Sequence, residues 1–118
     1  YHLAPKTISS VSLGRQMFQQ MRQQRPDIDA VFCTNDDLAV GVLLECQAQN
    51  ISVPGELAIA GFHGLEIGRA RLQKVASVVT PRFEIGQVAS ELLLKRLAGK
   101  DVPESVNVGY QIYYGDTL

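Results

Sequence analysis

The chain contains 118 residues, of which 46% are hydrophobic and 19% are charged, and its net charge is −1. This length and composition indicate one globular domain with a substantial core, and they exclude disordered, collagen-like and coiled-coil classes. Eleven Lys and Arg stand against twelve Asp and Glu without forming a basic cluster, so we expect this part of the protein to make no contact with nucleic acid.

The first predicted elements are a helix and a strand. Ser9 or Ser10 caps a helix that runs to Gln24, because apolar residues recur there at spacings of three and four. Pro26 ends this helix. Residues 29–33 then form a short apolar run between polar turns, which is typical of a parallel strand with both faces covered.

The second predicted helix runs from Asp37 to about Gln49, after a cap formed by residues 34–36. Its apolar residues leave it almost no polar face. Such a helix either lies deep in a core or packs against a partner as well. The residues that indicate this are Leu38, Ala39, Val40, Val42, Leu43, Leu44 and Cys46.

The second half of the chain continues the alternation of helices and strands. Residues 57–62 and 75–79 predict buried strands, with a short helical piece over residues 65–71 between them. Residues 80–99 predict a long helix, opened by Thr-Pro and closed by Gly, and residues 106–112 alternate weakly as in an edge strand. The whole order predicts an α/β fold, a three-layer α/β/α sandwich with a mostly parallel sheet.

Polar clusters follow three of the predicted strands, at residues 34–37, 63–64 and 80–82. In parallel sheets, ligands bind beyond the carboxyl ends of the strands. The repetition of polar clusters at one edge therefore predicts a site for a small molecule. Its candidate residues are Asn35, His63, Thr80 and Arg82.

These residues also have purely structural interpretations. Asn35 or Asp36 would be an ordinary helix N-cap, and His63 would be a turn residue at the surface. Arg82 differs, because a cation in the first turn of a helix opposes the helix dipole. That mismatch favours a functional role for Arg82, such as holding an anion.

The sequence contains no pattern that predicts an enzyme. There is no Gly-rich phosphate loop, no metal-binding helix motif and no nucleophile elbow. Cys33 lies within an apolar strand, which argues against a catalytic cysteine, and we expect Cys33 and Cys46 to be buried, reduced thiols. No catalytic residue, no metal and no cofactor is predicted.

Signals for membrane insertion or export are not evident. No run approaches the roughly 18 apolar residues of a membrane span, and the first residues lack signal-peptide character. We therefore expect a cytoplasmic location and no membrane partner. The chain begins without Met, in what reads as ordered structure, and we interpret it as a fragment of a longer protein.

Three segments together resemble a known family. Residues 29–41 (DAVFCTNDDLAVG) resemble the A-(hydrophobic)3-x-N-D-x-x-A-x-G signature of the lactose/galactose repressor family. Residues 53–62 (VPGELAIAGF) are similar to its (I/V)-P-x-D-(I/V)-S-(I/V)-x-G-(F/Y) segment, and residues 76–81 (ASVVTP) to its T-T-V-x-Q-P crossover strand. Within the family, the sequence most resembles the gluconate-operon repressor branch.

This resemblance implies the effector-binding domain of a bacterial transcription repressor, with two lobes like those of a periplasmic sugar-binding protein. Residues 1–74 would belong to the C-terminal lobe. Residues 75–100 would cross into the N-terminal lobe, and residues 101–118 would return. The helix-turn-helix headpiece that binds operator DNA would lie outside this chain.

The resemblance also assigns residues to an effector site between the lobes. Asn35 matches the family's Asn that binds sugar hydroxyls. His63 stands where most members carry Asp, which favours a sugar acid such as gluconate, because histidine donates to a carboxylate that Asp would repel. Arg82 would strengthen this preference. The remaining predicted site residues are Thr80, at a cleft-lining position, and Ser9 or Ser10, where relatives often stack an aromatic on a sugar ring.

The resemblance further implies a homodimer, with its seam on the second helix and the short segment after the second strand. An extracytoplasmic sugar-binding protein of a transport system is the alternative, and it would be a monomer without need of so apolar a helix. An enzyme is a third, less favoured possibility. The predicted seam residues are Leu38, Val42, Leu43, Cys46, Leu65, Ile67 and Leu72.

Overall fold

The computed structural model describes residues 1–4 and 8–118. Within these ranges four helices alternate with four strands, which confirms the predicted order of elements. The elements are α1 (Val11–Gln24), β1 (Ala30–Phe32), α2 (Asp36–Ala48), β2 (Ala58–His63), α3 (Glu66–Arg69), β3 (Ala76–Val79), α4 (Arg82–Leu97) and β4 (Gln111–Tyr113).

The four strands form one sheet in the order β1-β2-β3-β4. β1, β2 and β3 run parallel, with Phe32 opposite Ala60 and His63 opposite Val79. β4 runs antiparallel to β3, and Gln111 lies opposite Val79. The sheet is therefore mostly parallel, as predicted, and the carboxyl ends of β1, β2 and β3 share one edge.

Two of the helices begin at side-chain caps. The Ser10 hydroxyl accepts a hydrogen bond from the Leu13 amide at 3.1 Å and starts α1. The Asn35 side-chain oxygen accepts one from the Leu38 amide at 3.0 Å and starts α2. Each such cap stabilises a helix by about 1 kcal/mol. Both residues therefore perform the structural role that the sequence allowed for them.

The α1 and α2 helices pack tightly on each other, because glycines face each other at the contact. A Cβ at Gly14 would overlap the backbone of Leu38, and one at Gly41 would overlap the backbone of Val11. The helix pair covers one face of the sheet and encloses the core. The most buried core side chains include Phe18, Val40, Leu43, Cys46, Leu57, Ile59 and Val75.

The apolar character of α2 is explained by burial within the chain. α2 packs against α1, β2 and α3, and between Asp36 and Cys46 only Asp37 and Leu44 are partly exposed. This corrects the prediction that α2 side chains form a dimer seam, because side chains enclosed by their own chain are inaccessible to a second copy. The four affected residues are Leu38, Val42, Leu43 and Cys46.

The opposite face of the sheet is open in the part of the chain that the structure describes. Phe32 in β1 is 62% exposed and Ile112 in β4 is 46% exposed, and both lie on the face away from α2. β1 was predicted to be covered on both faces, and it is covered on one. Among the described residues, no third layer of the predicted sandwich covers this face.

The α4 helix lies outside the core, since none of its residues is buried. Ile85, Val88 and Leu92 face Val106 and Val108 across a shallow groove. Leu93, Leu94 and Leu97 are exposed. None of the helices described is long and apolar enough to cross a membrane.

Candidate functional site

The edge formed by the carboxyl ends of β1, β2 and β3 carries the predicted polar residues. Asn35 follows β1, His63 ends β2 and Thr80 follows β3. Because the three strands are parallel and adjacent, the segments after them emerge on the same side of the sheet.

A pocket of about 340 Å³ opens at this edge. Its lining comes from four segments: the end of β2 with the turn after it, the short helix α3, the end of β3 with Thr80, and the start of α4. The structure brings together three of the predicted site residues, His63, Thr80 and Arg82. Two further charged residues, Arg69 and Glu84, line the same pocket. Two guanidinium groups and one carboxylate give it an excess of positive charge.

His63 is held on two sides at the mouth of this pocket. Its Nδ1 lies 3.4 Å from the hydroxyl oxygen of Thr80, at the long limit of a hydrogen bond. Its ring meets the Phe62 ring edge-on, with 4.8 Å between centroids. The backbone of His63 has a φ of 90°, so the chain turns sharply at this residue. Because Nδ1 makes the contact with Thr80, the other ring nitrogen, Nε2, is not needed to position the ring and is available to a ligand.

The turn that presents His63 is anchored by a buried carboxylate. Asp36 is 1% exposed and accepts a hydrogen bond from the Ser77 hydroxyl at 2.7 Å. The other carboxylate oxygen of Asp36 accepts a hydrogen bond from the Leu65 amide. The Ser77 oxygen in turn accepts from the Gly64 amide at 3.0 Å. These four groups link α2, β3 and the turn into one network.

Space for this network depends on Gly61. A Cβ at Gly61 would overlap the Asp36 carboxylate, so a larger residue in the middle of β2 would push the anchor away. The sequence predicts a helix cap at Asn35 or Asp36, and the structure shows that Asn35 is the cap, while Asp36 is the buried anchor. The available signal was Ser77, a single hydroxyl in an otherwise apolar strand, which requires a buried partner.

Arg69 is a pocket residue that the sequence analysis did not identify. It ends the short helix α3, and its Nη2 donates a hydrogen bond to the Gly64 carbonyl at 2.7 Å. This bond brings the guanidinium back over the turn that carries His63. Nothing in the local sequence distinguished Arg69 from an ordinary surface cation.

Three other predicted site residues lie apart from the pocket lining. Asn35 is half-buried, and its side-chain oxygen is used by the α2 cap. Its amide nitrogen makes no hydrogen bond to residues 1–4 or 8–118. Ser10 caps α1, and Ser9 is exposed beside it. The structure does not bring these three residues together with His63 and Arg82.

The two cysteines are buried, free thiols. Burial raises the pKa of the Cys33 thiol to about 12, with a further contribution from the nearby Asp36 charge. Burial likewise raises the pKa of Cys46 to about 11. Thiols with such pKa values stay protonated at neutral pH and are poor nucleophiles. Among the residues that the structure describes, no group of three His, Cys, Asp or Glu side chains could hold a metal ion.

Comparison with known proteins gives close relatives. Residues 3–118 match the family described as periplasmic binding protein-like domain. The HTH-type transcriptional regulator IdnR of Escherichia coli K12 is 50% identical over 115 residues, which cover 97% of this chain and 35% of that protein. The HTH-type transcriptional regulator GntR of the same strain is 42% identical over 119 residues, covering 100% of this chain and 36% of that protein.

Solved structures give the same result. The crystal structure of the transcription regulator GntR from Chromobacterium violaceum matches with a TM-score of 0.85 and 37% identity, and the match covers 94% of this chain and 41% of that one. Against the curated relatives, this chain spans about a third of their length.

Proposed function

This chain belongs to the periplasmic binding protein-like domain family, in the form carried by regulators of the lactose/galactose repressor family, and on that premise we propose that it is the effector-binding part of a bacterial transcription repressor. One observation carries the proposal: the pocket at the carboxyl edge of the sheet joins His63, Thr80 and Arg82 in a chain whose relatives are transcriptional regulators. Binding of a small molecule there would change the affinity of the whole protein for its operator.

The proposed effector is a sugar acid such as gluconate. Arg82 supplies a guanidinium that pairs with a carboxylate, and His63 supplies a ring N–H donor. The Thr80 hydroxyl both donates and accepts, so it suits the hydroxyls of a polyol. The free amide nitrogen of Asn35 adds a donor at the same edge, provided that the ligand extends towards α2.

The proposed division into lobes follows the path of the chain after β3. Residues 1–74 form most of the compact body around α1, α2 and the sheet. Residues 75–79 still belong to that body, because β3 pairs with β2 in the sheet, whereas the chain leaves the body after Val79 and α4 exposes leucines that a second lobe would cover. Residues 101–118 return to the sheet through β4. The pocket lies where the chain crosses, so an effector there would contact both lobes.

The proposed assembly is a homodimer, with its seam on the segment between β2 and β3. Leu72 is fully exposed, Ile67 is partly exposed and Leu65 is half-buried. Three apolar side chains within one short surface segment suit an interface. Operator DNA would be bound by a headpiece elsewhere in the protein, and a cytoplasmic location follows from that role.

An extracytoplasmic sugar-binding protein remains the alternative on fold alone, since the two classes share the domain. The relatives named above favour the regulator, because each is described as a transcriptional regulator. No observation favours an enzyme, and the high pKa of Cys33 argues against thiol chemistry.

The experiment that tests the proposed function is a thermal shift assay of the full-length protein with D-gluconate and with D-glucose. A ligand at a hundredfold excess over its Kd adds roughly 2.7 kcal/mol to the free energy of unfolding. We expect gluconate to raise the melting temperature clearly and glucose to leave it unchanged. A shift with glucose alone, or with neither compound nor any other sugar acid, would contradict the proposal.

A further inference from the structure

Arg69 is held against the turn that follows β2. Its Nη2 donates to the Gly64 carbonyl at 2.7 Å, so the guanidinium lies beside the turn, although the residue as a whole is exposed. Gly64 is itself fixed, because its amide donates to the buried Ser77 hydroxyl, which bonds to Asp36. The position of Arg69 is therefore linked to the core of the protein.

The pocket surroundings of Arg69 are those of an anion site. Arg69 and Arg82 line the same pocket, one from α3 and the other from the start of α4. His63 lies with them in the lining. Glu84 is the carboxylate of this pocket, and it suits hydroxyl donors rather than an anionic group. The lining therefore supplies two guanidinium groups to the space in which a ligand carboxylate would lie.

One hydrogen bond to Gly64 leaves most of the Arg69 fork unused. A guanidinium has five N–H donors in a fixed plane, and the bond to the carbonyl uses one of them. The remaining donors suit a carboxylate, which accepts two parallel N–H bonds. A side chain that is already held by a neighbouring carbonyl loses less conformational entropy when it binds a ligand.

From this geometry we propose that Arg69 is a specificity-determining residue, which binds the carboxylate of the effector together with Arg82 and selects acids over neutral polyols. The proposal rests on the proposed function of the same pocket and adds a residue that the sequence pattern alone does not indicate. Replacement of Arg69 should therefore change the affinity for acidic ligands and leave the fold intact.

The test is isothermal titration calorimetry of the full-length protein with D-gluconate and with D-glucitol, its neutral counterpart. The variants are Arg69→Gln, Arg69→Lys and the control Arg71→Gln. Arg71 lies two residues further on, outside the pocket lining, and its replacement makes the same change in net charge. Melting temperatures without ligand are measured for all three variants.

We expect Arg69→Gln to weaken gluconate binding roughly tenfold or more, the loss typical of a charge-assisted hydrogen bond. Arg69→Lys should recover part of that loss, because it keeps the charge without the planar fork. Arg71→Gln should stay within about twofold of the wild type, and any weak binding of glucitol should be unchanged in every variant.

Two results would overturn the inference and leave the proposed function standing. One is gluconate affinity in Arg69→Gln equal to that of the wild type. The other is equal weakening of both ligands with a lowered melting temperature, and no recovery in Arg69→Lys, which would show that Arg69 only holds the turn. Wild-type protein that binds no sugar acid would instead contradict the proposed function itself.

Discussion

The Asp36 carboxylate and the Ser77 hydroxyl form a buried hydrogen bond of 2.7 Å between the first turn of α2 and the middle of β3. The same pair also receives the amides of Gly64 and Leu65, so one buried anion fixes both the core and the turn at the pocket. The pocket residues His63 and Arg69 are attached to opposite ends of that turn.

Asp36→Asn should therefore destabilise the protein. An amide in place of the carboxylate would set an N–H group against one of two existing donors, and an unsatisfied buried group costs about 1–3 kcal/mol. We expect a lower midpoint in urea unfolding and weaker ligand binding. Asp37→Asn removes the same charge one residue further along α2 and is the control. Equal midpoints for the two variants would show that the network has little influence on stability.

His63→Asp should weaken binding of a sugar acid at least tenfold. The change replaces a ring donor with an anion beside the ligand carboxylate, and a charge-assisted hydrogen bond contributes about 1.5–3 kcal/mol. Asp accepts the positive φ of this position better than most residues do, so the melting temperature without ligand should be nearly unchanged. Calorimetry with gluconate measures the effect, and unaltered affinity would exclude His63 as a contact.

Leu72→Asp should convert the proposed dimer into monomers. Leu72 is fully exposed, so a charge there costs the folded chain little but would be buried at a seam. Sedimentation velocity of the full-length protein measures the outcome. The control is Leu43→Ala, which removes a core side chain and should cost about 2–5 kcal/mol of stability without changing the sedimentation coefficient of the folded protein. A Leu72→Asp protein that stays dimeric would place the seam elsewhere.

Glu45 should make stability depend on pH in the acid range. Hydrogen bonds from Gln19, Gln49 and Arg15, in that order of effect, lower the pKa of Glu45 to about 2. Since an unfolded Glu titrates near pH ~4.3, the stabilisation is complete above that pH and is lost as the pH falls from there towards 2. Glu45→Gln should flatten the dependence of the unfolding midpoint over this range. The control is Glu104→Gln at an exposed position, which should leave the pH dependence of the unfolding midpoint unchanged.

Cys33 should be inert towards alkylation in the folded protein. Burial raises the pKa of its thiol to about 12, so almost no thiolate is present near pH 8. Mass spectrometry after iodoacetamide treatment should find Cys33 modified only when the protein is unfolded. Rapid labelling in the native state would mean that β1 opens readily.

Local structure was predictable from sequence wherever neighbouring residues decide it. The caps at Ser10 and Asn35 and the order of helices and strands depend on spacings of a few residues, and these predictions are confirmed. Ser77 in its apolar strand indicates that a buried partner is needed, but Asp36 lies 41 positions away, so no local pattern identifies it as that partner.

The remaining differences have a similar physical cause. An apolar helix can be covered by its own chain or by a partner, and its composition is the same in both cases. The burial of Leu43 and Cys46 by α1 and the sheet therefore had to be observed. The sequence does not identify Arg69, because a cation in a short exposed helix usually has only solvent around it. Its position in the pocket depends on the hydrogen bond to the Gly64 carbonyl, which only the structure shows.

The pairing of Val79 with Gln111 gives residues 80–110 the character of an insertion. The two residues that flank this segment, Val79 and Gln111, are paired across antiparallel strands. A two-residue turn in place of residues 80–110 would therefore leave an ordinary β-hairpin of β3 and β4. Thr80, Arg82 and Glu84 all belong to the removable part. Replacement of residues 80–110 would therefore change about half of the pocket lining. A protein of this fold could acquire a response to a new compound in this way, without any change to the sheet.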